Sequence, residues 1–192
     1  MKYDMKNKEE NDNYINIEFD IYEMKYNGGL RDSTLPVISF DKKYYDRYKE
    51  LIHSCYYEMR EALNIKPYKG YCESLEELMV EKDTIFLLMN DDEIICTASC
   101  EDNEVSNVAV NLKYQNLGYG RKILNYVISF LQKQGHSTIR LTVLKWNKKA
   151  IALYNSVGFE ITNETTVTGI NSKNENGNWS FKFTSTGEYN IR

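Results

Sequence analysis

VSNVAVNLKYQNLGYGRKILNYVISFL, residues 105–131, is the stretch on which the fold turns. It opens as a β-branched run, passes through a short connection ending in QNLGYG, and enters a segment where Ile123, Leu124, Val127, Ile128 and Leu131 recur at helical spacing until Gly135 stops it. A strand feeding a helix through a glycine-bearing turn suits a pyrophosphate. The first N–H groups of a helix lack intrahelical partners and carry partial positive charge, and glycines let the backbone approach an anion closely. Gly118 and Gly120 supply that approach, and Arg121 adds a cation. Two other phosphate loops do not fit. A Walker loop requires Lys and Ser/Thr after its last Gly, but Arg121 and Lys122 are followed by Ile123; a dinucleotide fingerprint requires a third Gly where Ile123 stands.

Upstream, TIFLLMN (84–90) and EIICTASC (93–100) read as two strands joined by a tight turn at NDDE, with EVSNVAV as a third. Further back, Ser74 and Glu77 have capping-box spacing for a short helix ending near Glu81. Asp41 can cap a longer helix in which Tyr48, Ile52, Cys55, Met59 and Leu63 repeat; the loop KPYKGYCE (66–73) joins the two. The stretch NGGLRDSTLP (27–36) reads as a turn, and before it Ile15, Ile17, Phe19 and Ile21 alternate as a first strand from Tyr14 to Met24. Downstream, Ile139, Leu141 and Val143 alternate as a strand. Asn147 then caps a helix carrying Ala150, Leu153, Tyr154 and Val157 that ends at Gly158. Two strand-like runs, FEITNETTVTGI (159–170) and WSFKFTST (179–186), close the pattern around the polar loop NSKNENGN. Residues 1–13 are too polar to offset ordering entropy and read as a disordered tail, leaving 14–192 as one domain.

Composition narrows the function classes. A net charge of -4 with no basic stripe argues against a nucleic-acid partner. No apolar run is long enough to span a bilayer and the N-terminus lacks the apolar core of a secretory signal, so a cytoplasmic protein without a membrane partner is expected. Cys55, Cys72, Cys96 and Cys100 form no CxxC pair, and His53 and His136 are the two histidines; reduced thiols and no metal are expected.

At this point the sequence resembles the GNAT superfamily of acetyl-CoA-dependent N-acetyltransferases, whose signature is Q/R-x-x-G-x-G/A between a strand and a helix. Gln115, Gly118 and Gly120 match it after VAV; Asn147 follows 27 residues beyond Gly120, then Ala150, Tyr154 and the pair Gly158-Phe159 at the family's usual spacing. The resemblance is specific from about Ile94 to Phe159. It implies a mixed α/β (α+β) domain: a twisted, mostly antiparallel sheet of about seven strands with about four helices, with acetyl-CoA as co-substrate in the split between the fourth and fifth strands.

Position by position, the resemblance implies that backbone groups of Val108 and Val110 pair with the pantetheine arm, and that Gln115, Asn116, Leu117, Gly118, Tyr119, Gly120 and Arg121 hold the pyrophosphate. Asn147 corresponds to an asparagine that contacts the cofactor arm, and Tyr154 to a tyrosine beside the thioester sulfur. Tyr154 is then the candidate general acid, since an unperturbed tyrosine at about 10 nearly matches a departing thiolate. Glu104, eleven residues before Gln115 where histone-type members carry a catalytic glutamate, is the first candidate base, with Glu101 or a water chain as fallback. A backbone N–H of Ala109 or Val110 is expected to meet the oxyanion.

With no Cys or Ser in a nucleophile arrangement, direct attack by the amine is expected. A small-molecule amine is the first acceptor choice. A protein N-terminus or lysine, a longer acyl donor, and a non-catalytic acyl-CoA-binding module are the alternatives, and a homodimer is compatible with the family. The cluster Glu73, Glu76, Glu77 and Glu81 reads as a solvated helix face that would otherwise attract a cationic acceptor.

Overall fold

A computed structural model describes residues 13–69 and 72–184, so nearly all of the expected polar tail lies outside the described residues. In chain order the elements are β1 (Tyr14–Tyr26), β2 (Val37–Ser39), α1 (Tyr45–Ala62), α2 (Leu75–Val80), β3 (Ile85–Asn90), β4 (Glu93–Glu101), β5 (Glu104–Val110), α3 (Tyr119–Lys133), β6 (Arg140–Leu144), α4 (Lys148–Val157), β7 (Phe159–Lys173) and β8 (Trp179–Phe183). The strands form one mixed sheet ordered β2-β3-β4-β5-β6-β1-β7-β8. Every neighbouring pair is antiparallel except β5 with β6. The α/β class, the four helices and the mostly antiparallel sheet are as expected. The eighth strand is β2, three residues at the sheet edge, too short to show a period of two in the sequence.

Local chemistry explains the helix ends. The Asp41 carboxylate accepts from the Lys43 N–H and caps a single 3-10 turn, Lys42–Tyr44, which runs on into α1. Ser74 and Glu77 form the capping box of α2: the Ser74 hydroxyl accepts from the Glu77 N–H at 3.2 Å, and the Glu77 carboxylate accepts from the Ser74 N–H at 2.8 Å. Helices α3 and α4 cover one face of the sheet, burying Ile123, Leu124, Val127, Ile128 and Leu131 with Ile151 and Val157. Helices α1 and α2 cover the other, around Tyr48, Leu51, Ile52 and Leu78. β4 lies between the layers and is buried on both faces along nearly its whole length.

Two irregularities open the sheet at its centre. Between Thr97 and Ser99 the register of β4 against β5 shifts, so that Asn107 and Val108 lie opposite the single residue Ala98. Asn107 takes up the extra residue in the left-handed region, at φ 48°, and a bulge of this kind bends and twists its strand. On the other side of β5, pairing with β6 lasts for two rungs, Glu104 with Arg140 and Val105 with Leu141, before the strands diverge. β6 keeps its partner β1, pairing Arg140–Leu144 with Ile21–Lys25, so the first strand of the chain sits deep in the sheet between β6 and β7.

Candidate active site

The C-terminal half of β5 has one edge paired and one edge open. The Asn111 N–H donates to the Ile95 carbonyl on β4 at 2.9 Å. Alternation along an extended chain therefore turns the amide of Ala109 toward β4 and those of Val108 and Val110 toward the gap. The Ala109 side chain joins the α1 core, whereas Val108 and Val110 are half-buried against the α3 core. Of the two N–H groups expected to meet an oxyanion, Val110 faces the gap and Ala109 faces its neighbour strand. The Val110 carbonyl already has two donors, the Cys55 thiol at 3.3 Å and the Gln115 side-chain amide at 3.2 Å.

Beyond β5, a 3-10 turn at Leu112–Tyr114 is capped by Asn111 and tied to the β3–β4 hairpin through Glu93, which accepts from Lys113 at 2.6 Å and from the Tyr114 hydroxyl at 2.8 Å. Those two contacts hold the Glu93 carboxyl below the usual carboxylate range. The QNLGYG loop that follows takes two left-handed residues, Asn116 at φ 63° and Gly118 at φ 82°, and Gly118 is the N-cap of α3. The two glycines serve different ends. A side chain on Gly118 would find open space but a strained backbone, whereas a Cβ on Gly120 would lie 2.9 Å from Leu153 of α4. The N–H groups of Tyr119, Gly120 and Arg121 thus begin a 15-residue helix from an exposed loop beside the open edge of β5. The Arg121 guanidinium is engaged with α4, donating to the Ser156 carbonyl at 2.9 Å and to its hydroxyl at 3.0 Å.

On α4, the Asn147 side-chain oxygen accepts from the Ala150 N–H at 3.0 Å, so its capping role is realised. Tyr154, one residue beyond Leu153, is buried among α3-side apolar residues and packs edge-on against Phe159 at 6.1 Å. Burial pushes its hydroxyl well above the ordinary tyrosine range. The near-balance expected from an unperturbed tyrosine is therefore corrected: Tyr154 holds its proton more tightly than a free phenol.

The opposite wall comes from α1 and the segment before α2. Tyr56 on α1 is also pushed well above its ordinary range, by burial first. Glu73 accepts from the Asn107 side-chain amide at 3.3 Å and from the Cys72 thiol at 3.8 Å, while its backbone carbonyl accepts from the Tyr45 hydroxyl. Asn107 is buried, so the bulge that opens β5 also grips Glu73. Of the four glutamates read as a solvated helix face, one thus turns into the site and one caps the helix. Glu104 lies at the closed end of the divergence, accepting from the Thr142 hydroxyl at 3.3 Å on the α1 side of the sheet. Glu101 is exposed at the end of β4. All four cysteines are free thiols, and no helix among the described residues is long and apolar enough to cross a membrane.

Residues 45–159 match the Acetyltransferase (GNAT) family. Over 61 residues the chain is 46% identical to the ribosomal protein bS18-alanine N-acetyltransferase of Escherichia coli K12, a match covering 32% of this chain and 39% of that relative. It is 39% identical over 54 residues to a thialysine N-epsilon-acetyltransferase of Sus scrofa, covering 28% of this chain and 32% of that one. The aligned segment therefore spans well under half of these curated relatives. A GNAT-family protein of Novosphingobium aromaticivorans shares the fold at a TM-score of 0.58 and 17% identity, over 80% of this chain and 64% of that one.

Proposed function

This chain belongs to the acetyltransferase (GNAT) family, and we propose that it moves the acetyl group of acetyl-CoA onto a primary amine of a small molecule. The observation that carries the reading is the divergence of β5 from β6 beside the N-terminus of α3. The outward amides of Val108 and Val110 suit an extended pantetheine arm, bound as an added strand. The N–H groups of Tyr119, Gly120 and Arg121 suit the pyrophosphate, with Gln115 bracing the loop and Asn116, Leu117 and Gly118 shaping it. Asn147 commits its side-chain oxygen to the cap, leaving its amino group to face the cofactor arm.

The acceptor nitrogen attacks the thioester carbonyl carbon, the C–S bond breaks, and the departing sulfur takes the Tyr154 proton. An outward amide, that of Val110 first, steadies the carbonyl oxygen as it gains charge. At the closed end of the gap, Glu104 would reach the acceptor amine through water.

Thiol release from acetyl-CoA with a panel of amines tests the reading on wild type and Tyr154→Phe. The expected result is acceptor-dependent release that falls about 100-fold or more in the variant, with acetyl-CoA affinity unchanged. Tight acetyl-CoA binding without release for any acceptor would instead support an acyl-CoA-binding module. The likeness to the bS18-alanine enzyme favours a peptide amine as second reading, and short peptides belong in the panel.

A further inference from the structure

A cavity of about 360 Å³ opens on the α1 side of the sheet, and its walls include Met59, Arg60, Cys72, Leu144, Trp179 and Phe181. Three of these connect it to the site just described. Met59 lies one helical turn beyond Cys55, whose thiol meets the Val110 carbonyl, so the two share a face of α1 roughly 6 Å apart along its axis. Leu144 ends β6, three residues past the last rung shared with β5. Cys72 precedes Glu73, which is held by Asn107 of the bulge. The cavity thus adjoins the Glu73 segment at Cys72 and the β6 side of the divergence at Leu144.

The chemistry of the two regions differs. The Glu73 segment is anionic. The cavity is mostly aromatic and aliphatic, but cations stand around it: the Arg60 side chain is buried in the wall and donates to the Pro67 carbonyl at 2.8 Å, and Lys66 and Lys173 lie 4.2 and 5.7 Å from the Trp179 ring centre. A second positive charge on the acceptor would enter against all three, a like-charge approach made worse by the apolar surroundings. The volume is near the lower end of the roughly 300–1,000 Å³ common for small-molecule sites.

We propose that this cavity is the acceptor pocket and that it selects a small monoamine bearing one compact aromatic or branched apolar group, the amine resting on Glu73 and the apolar group between Met59, Leu144 and Phe181. This rests on the acetyl-transfer reading and names the substrate class of the same site. In this pocket Glu73 both anchors the ammonium and receives the proton it must lose before the nitrogen can attack, taking the role of base from the more distant, water-bridged Glu104. Polyamines and aminoglycosides are disfavoured.

The test compares kcat/KM for phenethylamine, spermidine and a phenylalanine-initiated peptide amide in wild type, Cys72→Phe and Glu73→Gln. The expected result is a preference for phenethylamine over spermidine of about 100-fold or more. Cys72→Phe, which fills the cavity, should raise the phenethylamine KM by about tenfold while acetyl-CoA affinity stays within about twofold. Glu73→Gln should lower kcat/KM about 100-fold for every amine. If Cys72→Phe folds poorly, tryptophan emission of wild type titrated with phenethylamine, and its loss of response in Trp179→Phe, gives the same answer. Turnover that favours spermidine or the peptide overturns the pocket assignment and leaves acetyl transfer standing, as does a Glu73→Gln loss smaller than that of Glu104→Gln. No release from any amine overturns both.

Discussion

The two walls of the β5–β6 gap are built by different means. On the α3 side, the features are backbone features: outward amides on β5, a left-handed Gly118, and a helix start packed so closely on α4 that a Cβ on Gly120 would lie 2.9 Å from the tip of Leu153. On the α1 side, the features are side chains brought together from distant segments: Cys55 and Met59 from a helix, Glu73 from the segment before α2, Leu144 from β6 and Phe181 from β8. Backbone sites impose glycines at fixed spacing, whereas side-chain pockets impose nothing on neighbouring positions. A backbone wall can therefore be shared by proteins that act on different ligands, while a side-chain wall is free to vary.

That contrast can be broken or sharpened by substitution. The largest effect is expected from Gly120→Val, whose branched side chain must displace Leu153: stability should fall by about 1–3 kcal/mol and acetyl-CoA binding should weaken together with it, as read by urea unfolding and calorimetric titration. If acetyl-CoA affinity survives, the close packing of α3 on α4 is not what shapes the cofactor wall. Asn107 belongs to both walls, because its backbone makes the bulge and its side chain grips Glu73. Asn107→Val should cost about 1–2 kcal/mol, the usual penalty of a left-handed non-glycine residue. Asn107→Gly should keep the fold and acetyl-CoA affinity while raising the acceptor KM; equal damage from both changes would mean the side chain, not the backbone conformation, makes the bulge.

The smallest effect concerns the buried thiols of β4. Burial pushes Cys96 and Cys100 up to about 12. A group whose folded pKa is raised contributes its stability fully below the unfolded value and loses it as pH climbs toward the folded one. The melting temperature should therefore decline as pH rises from about 9 toward 12, the window set by the ordinary and buried thiol values. Cys100→Ala should make that decline shallower, measurable by thermal melts across the alkaline range.

Much of the local structure of the α3-side wall was legible from residues 105–131 and 147–159. Gly118, Gly120, Asn147, Tyr154 and Gly158 all fall at helix ends or helix faces where the spacing put them. The bulge was missed, although a signal exists: the valines of β5 are spaced three apart between Val105 and Val108 but two apart between Val108 and Val110, and the extra residue is an asparagine, a type depleted in strands. Glu73 left no such trace. Its partner Asn107 lies 34 residues away, and its neighbours Glu76 and Glu77 made it look like one more carboxylate of a solvated helix. Nor did alternation in β1 reveal its place in the sheet, because a period of two marks faces and not neighbours.

That place has a consequence during synthesis. β1 is made first among the described elements, yet its partners are β6 and β7, whose nearest paired residue, Arg140, follows Lys25 by about 115 positions. At translation speeds of roughly 5–20 residues per second, the ribbon of Ile15, Ile17, Phe19 and Ile21 waits several seconds beside the ribosome with both edges unmatched. Whatever shields nascent apolar strands in the cell meets β1 before either of its partners, and the sheet closes only after β6 and β7 have emerged to clasp it.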